Sequence, residues 1–203
     1  MPTIAVLDYG SGNLHSVSRA IARVGGNPLI TGDDATAAAA DALVIPGVGH
    51  FGACVRAIRH HGLNETIRNF CSSGRPVFGV CVGMQILFEG SDESTEAGLG
   101  FFHGVSLKLP ADVKVPHMGW DTVTWTGSHP YVAGISDDTR FYFVHSFAPP
   151  VDETVTVGVN DYGRASSAAV SRANVFATQF HPEKSGEAGL QVYEQFVEDV
   201  AAR

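Results

Sequence analysis

The chain has 203 residues, 44% hydrophobic and 17% charged, a balance that excludes an intrinsically disordered protein and suffices for a substantial single core. Its formal net charge of −8, with no lysine/arginine cluster, argues against a nucleic-acid partner while leaving room for a small anionic ligand. Three cysteines, Cys54, Cys71 and Cys81, form an odd set without metal-ligand spacing, so neither a disulfide framework nor a cysteine metal site is expected, and a reducing cytoplasmic setting is.

The N-terminus enters a strand at Thr3-Ile4-Ala5-Val6-Leu7, which is expected to leave no room for a signal peptide, and no apolar run approaches membrane-spanning length. After Gly10-Ser11-Gly12-Asn13, the residues Leu14, Val17, Ile21 and Val24 repeat at helical spacing. That turn is not a dinucleotide fingerprint, because His15 stands where the third glycine belongs. A second strand near Pro28–Ile30 leads through an alanine-rich helical stretch to a third, Ala42–Ile45, which runs into Pro46-Gly47-Val48-Gly49. Helical patterns around Cys54–Ile58 and Leu63–Phe70 follow, with Cys54 and Cys71 read as small buried hydrophobes. Strand–helix alternation of this kind predicts a parallel sheet with helices on both faces.

The fourth strand, Pro76–Val80, runs straight into Cys81. Gly79-x-Cys81-x-Gly83 reads as a nucleophile elbow with cysteine in the serine's place: a crowded strand-to-helix turn that tolerates only small flanking residues. An isolated cysteine here would read as a core residue; the glycine frame favours the nucleophile. The N–H of Val82, directly after it, is the first candidate donor to an oxyanion.

The second half changes character. Val105–Leu109, Thr122–Trp125, Arg140–Val144, Thr154–Val159 and Ser167–Val170 are short β-like runs, predicted to add antiparallel strands to the central sheet. Val175–Phe180 is a strand that ends in His181-Pro182-Glu183. Alone, such a tripeptide reads as a surface turn. Beside a cysteine elbow it completes a triad candidate: Cys81 nucleophile, His181 base, Glu183 orienting group. A final helix places Leu190, Tyr193, Val197 and Val200 on one face. With no repeat or linker, residues 1–203 are expected to form one domain.

The elbow Gly79–Gln85 and the Gln179-Phe180-His181-Pro182-Glu183 strand end resemble the class I, triad-type glutamine amidotransferases. Further segments narrow the resemblance to one branch, the glutaminase subunits of imidazole glycerol phosphate synthase in histidine biosynthesis. They are Asp8–Leu14, Pro46–Gly49, Pro116-His117-Met118-Gly119-Trp120, Phe141–Ser146 and the extension to Lys184-Ser185, so nearly the whole chain is covered.

The resemblance implies a flavodoxin-like α/β fold with a mostly parallel central sheet flanked by helices. It implies glutamine as substrate, a cysteine thioester, and no metal or organic cofactor. Val48 and Gly49 become the oxyanion strand, whose peptide reorients on activation; Gln85 holds the amino-acid end of the substrate. His145 and Ser146 supply backbone that receives its ammonium group. Asn13, Trp120 and Lys184 lie toward a (β/α)8-barrel cyclase, the partner in a heterodimer that takes the ammonia. The sequence departs from the family at Val82, Asp121, Phe101-Phe102-His103 and Phe147-Ala148, none of them in the triad. Rival readings are a triad glutaminase serving pyridoxal phosphate or anthranilate synthesis, which the Pro116–Trp120 segment opposes, and a stand-alone cysteine hydrolase, which would need neither Gln85 nor a partner. A regulatory subunit with a degenerate site is opposed by the intact Cys/His/Glu set.

Overall fold

The computed structural model describes every residue except Ser11. The first half alternates as expected: β1 (Thr3–Leu7), α1 (Leu14–Arg23), β2 (Asn27–Thr31), α2 (Asp34–Ala38), β3 (Ala42–Gly47), α3 (Phe51–His60), α4 (Leu63–Ser73), β4 (Val77–Cys81) and α5 (Val82–Ile86). The second half is mainly β: β5 (Gly90–Ser91), β6 (Val105–Lys108), β7 (His117–Thr122), β8 (Thr124–Trp125), β9 (Arg140–His145), β10 (Phe147–Ala148), β11 (Thr156–Asp161), β12 (Ala165–Arg172) and β13 (Val175–Thr178). The helix α6 (Gly186–Ala201) closes the chain.

The main sheet has the order β2-β1-β3-β4-β13-β12-β11-β8. Its first five strands run parallel, and β12, β11 and β8 extend it antiparallel. Every residue of β3, β4 and β13 is buried, as strands covered on both faces must be, which is why they read as unbroken apolar runs. Around them α1 packs on α6, and α3 packs on α4 and α5. Phe78 of β4 meets Phe176, Tyr193 and Phe196 with ring centroids 5.3, 5.4 and 5.5 Å apart, which fastens α6 to the middle of the sheet. The buried face of α6 carries Val192, Tyr193, Phe196, Val197 and Val200; Leu190 is only half-buried, so the helix is rotated slightly from the expected stripe.

Two of the predicted runs leave the main sheet. β6 pairs with β5 and β10 in a three-stranded sheet, and β9 pairs with β7 in a two-stranded ribbon. The ribbon has an inner and an outer face. Phe141 and Phe143 turn inward onto Phe180, at 4.2 and 5.8 Å between centroids, while Met118 and Trp120 remain 62% and 51% exposed. The ribbon thereby roofs the carboxyl ends of β3, β4 and β13, the edge where open α/β sheets bind ligands. No helix among the described residues is long and apolar enough to cross a membrane.

Candidate active site

Cys81 ends β4 at φ 55° and ψ −109°, a conformation that costs a non-glycine residue about 1–3 kcal/mol unless its surroundings impose it. They do. A Cβ on Gly83 would lie 1.8 Å from the carbonyl oxygen of Ile45, so the turn into α5 presses against the end of β3. Gly47 pairs with Cys81 across the sheet, and its own Cβ would sit 2.5 Å from the Gly83 nitrogen. Gly47 is therefore a close-packing residue first, although its sequence context suggests only backbone freedom. The result is a buried thiol, 2% exposed, whose sulfur lies 3.9 Å from the Val144 carbonyl oxygen and accepts from Gln179 Nε2 at 3.6 Å.

His181 follows β13. Its N–H donates to Tyr142 O at 2.9 Å, and its carbonyl accepts from the Ser185 hydroxyl at 2.6 Å, so the backbone is held on both sides. Nδ1 donates to Glu183 Oε1 at 2.8 Å, with both side chains buried, and Asn13 Nδ2 donates to the same oxygen at 3.3 Å. That acceptor fixes the tautomer and leaves Nε2, buried and without a hydrogen-bond partner, to take a proton. Burial opposes the imidazolium, but the Cys81 sulfur and the Glu183 carboxylate outweigh it and push the His181 pKa up to about 10. Cysteine, imidazole and carboxylate are thus one electrostatic unit.

A cavity of about 530 Å³ opens over this unit. It is lined by Cys81, Val82 and Gln85 from the elbow, by Val48 and Gly49 beyond β3, by His145 at the end of β9 and Ser146 beyond it, and by Asn13, His181 and Lys184. Glu183 stands behind His181 rather than in the cavity wall. Trp120 is on the outer face of β7, its ring 6.1 Å from Tyr142, whose ring in turn lies 5.7 Å from Lys184 Nζ. The residues assigned to the partner side therefore form a surface strip running to the cavity mouth.

Local contacts refine several expected roles. Tyr9 OH donates to Pro46 O at the end of β3, and the Cys54 thiol lies 3.5 Å from Val48 O just beyond it, so one side chain holds the strand end and another the residue that follows. Gln85 Nε2 donates to Phe147 O at 2.8 Å and to Gln179 Oε1 at 2.9 Å, which leaves only its carbonyl oxygen for a ligand. His145 turns its ring inward: Nδ1 bonds Phe147 O at 3.0 Å, and burial above all, with His117 nearby, drops its pKa to about 3. It is neutral, and its Nε2 is buried without a hydrogen-bond partner. Ser146 O already accepts from Leu109 N at 2.9 Å. Asp121, a departure from the family pattern, accepts from Asn160 Nδ2 at 3.0 Å and lies 3.3 Å from His117 Nε2.

Three residues to which the sequence assigned no role belong to the site. Gln179 touches the sulfur, and its position two residues before His181 in a run that reads as one strand is a usable signal, since alternate residues of a strand share a face, although β13 itself ends at Thr178. Glu93 lines the cavity with Oε2 accepting from Phe51 N at 2.6 Å, and Pro116 lines it at the ribbon's start. No local pattern announces either of these. Among the described residues no group of three or more His, Cys, Asp or Glu is placed to hold a metal ion.

The family model for class I glutamine amidotransferases matches residues 5–200. The chain is 45% identical to the imidazole glycerol phosphate synthase subunit HisH of Chromobacterium violaceum, with 96% of each chain covered. It is 44% identical to the subunit of that name from Methanothermobacter thermautotrophicus, over 98% of this chain and 100% of that one. Among solved structures, PurLQS from Thermotoga maritima superposes with a TM-score of 0.78 at 21% identity, covering 98% of this chain and 99% of that one. A solved glutamine amidotransferase gives 0.73 at 20%, covering 98% and 99%. The two structures support the fold alone. The sequence relatives go further: this chain belongs to the class I glutamine amidotransferases, in the branch of HisH subunits of imidazole glycerol phosphate synthase.

Proposed function

We propose that the chain hydrolyses glutamine through a thioester on Cys81 and hands the ammonia to a (β/α)8-barrel cyclase in a heterodimer. His181 Nε2 takes the thiol proton, and sulfur attacks the side-chain amide carbon. The oxyanion that develops is met by the backbone N–H of Val82 and, once its peptide has turned on activation, by that of the Val48–Gly49 segment, dipoles aimed at the place where the charge forms. His181 returns the proton to the departing ammonia, and the thioester then holds the glutamyl group. Water, deprotonated by the same imidazole, releases glutamate. Glu183 holds the tautomer and stabilises each imidazolium.

The observation that carries this reading is the unpartnered His181 Nε2, fixed by Glu183 and coupled to the Cys81 sulfur. Substrate selection follows from what the cavity leaves unused. The Gln85 carbonyl and the Glu93 carboxylate are acceptors suited to an α-ammonium group, and Lys184 at the wall suits a carboxylate. Residues 1–203 are read as one amidotransferase domain, supported by the family match and the continuous main sheet. The exposed Met118–Trp120 strip with Asn13 and Lys184 is read as the cyclase-facing surface. The test is glutamate release by the chain alone, with the cyclase, and with the cyclase plus its nucleotide substrate. Activation by partner and nucleotide is expected; full activity from the isolated chain, unchanged by either, points instead to a stand-alone hydrolase.

A further inference from the structure

Beneath the cavity a buried amide chain runs from a backbone carbonyl to the sulfur. Phe147 O is its origin, and a carbonyl can only accept. It takes His145 Nδ1–H at 3.0 Å and a Gln85 N–H at 2.8 Å, which fixes which end of the Gln85 amide is nitrogen. The second N–H of that nitrogen donates to Gln179 Oε1 at 2.9 Å, which fixes the Gln179 amide in turn. Its Nε2 is then directed at Cys81 Sγ, 3.6 Å away. Gln179 is 1% exposed, its backbone N–H is tied to Ala168 O at 2.8 Å, and its amide, held by Gln85, is kept out of water.

We propose that Gln179 is a catalytic residue of this site: its amide donates to the Cys81 thiolate and holds the sulfur in its attacking position, with Gln85 acting through it as a positioning residue. This rests on the reading of Cys81 as nucleophile. A donor aimed at sulfur lowers the energy of the anionic form relative to the thiol, since hydrogen bonds to charged groups exceed neutral ones. It also sets direction. The thiol's own weak contact, to Val144 O at 3.9 Å, draws the sulfur toward a carbonyl, and the amide N–H supplies the opposing pull once the proton has left. Glutamine suits this better than a cation: it adds no charge that the departing ammonia or the His181 imidazolium would feel.

The test is the pH dependence of iodoacetamide alkylation at Cys81, read by peptide mass spectrometry so that Cys54 and Cys71 are scored separately, on the full chain bound to its cyclase. The other titratable groups around the sulfur are His181, with Glu183 behind it, and Tyr9, and across the cavity Glu93, Lys184 and neutral His145; none of them is altered. Gln179→Met keeps the bulk and removes the donor. Its alkylation midpoint is expected to move to higher pH, with Cys81 alkylated about tenfold more slowly at neutral pH. Glutaminase kcat is expected to fall by a similar factor with KM little changed. Gln179→Glu puts an acceptor and a charge beside the sulfur and is expected to shift the profile further. Should Gln179→Met not fold, as judged by circular dichroism, Gln85→Met serves instead. It frees the Gln179 amide to turn and is expected to shift the profile in the same direction. An unmoved midpoint in the folded variants overturns the assignment. If alkylating Cys81 in the wild type leaves glutamine hydrolysis intact, the proposed function itself fails, and the two outcomes are distinct.

Discussion

Replacing Glu183 with glutamine separates the charge of the orienting group from its shape. The glutamine carbonyl can still accept from His181 Nδ1, and Asn13 Nδ2 donates to the same oxygen at 3.3 Å in the wild type, which favours that amide orientation. What disappears is the negative charge that stabilises the imidazolium. A hydrogen bond to a charged group is worth about 1.5–3 kcal/mol, so kcat should fall about 10–150-fold. Glu183 does not line the cavity, so KM should hardly change, the pattern of an interaction made in the transition state. The high-pH limb of the rate profile should also move down: Glu183 helps hold the His181 proton up to about 10, and a neutral amide holds it less well. There is a structural cost too. Glu183 Oε2 is buried without a partner, and an amide nitrogen there would be an unsatisfied donor, costing about 1–3 kcal/mol of stability. Steady-state glutamate release by the activated complex, with urea melts of the chain, reads both effects. A kcat within about twofold of wild type in a folded variant would refute the assigned role of the carboxylate.

Gly83→Ala places a methyl 1.8 Å from Ile45 O and should cost about 3 kcal/mol or more by urea titration; a wild-type midpoint would mean that the elbow is not packed this tightly. His145 has its folded pKa depressed to about 3, so its contribution is fully present above the unfolded value and is lost as pH falls from about 6.5 toward 3. Stability should therefore drop by up to about 1.4 kcal/mol per pH unit from this residue across that window, and His145→Gln should flatten the slope in thermal melts. Trp120→Ala combined with Lys184→Glu should weaken cyclase binding, measured by calorimetry, at least tenfold while leaving the free chain's melting temperature within about 2 °C. Unchanged binding would remove that strip from the interface.

The parallel half of the fold was legible because β1, β3, β4 and β13 are covered on both faces and so read as unbroken apolar runs, separated by helical repeats. The second half was legible as strands but not as sheets. Period-two alternation in Arg140–His145 says that one face is buried, and it says the same whether the partner is β12 or β7; partner choice is decided by contacts such as Phe141 on Phe180 that lie far apart in the chain. At the candidate site, Cys81, His181 and Glu183 stand out in the sequence because each sits in a local frame, glycines around the first and a strand end for the other two, and the structure brings the three together. Glu93 does not stand out, because nothing near it marks that its carboxylate would cap Phe51 N and face the cavity. Gln85 lies on the elbow helix, as its spacing from Cys81 predicts, yet the commitment of its amide nitrogen to Phe147 O and Gln179 needs the fold. The spacing showed which way Gln85 points, and only the tertiary structure shows which of its two polar ends is free.

The most direct test of the account is to trap the covalent intermediate. The chain, bound to its cyclase and nucleotide, is mixed with glutamine, quenched in acid during turnover and digested for peptide mass spectrometry. The account predicts a γ-glutamyl group on Cys81, with Cys54 and Cys71 unmodified, and its loss together with glutaminase activity in Cys81→Ala, while that variant complex still uses added ammonium. Sustained glutamate release by Cys81→Ala, or rapid turnover with the adduct on another residue, would contradict it.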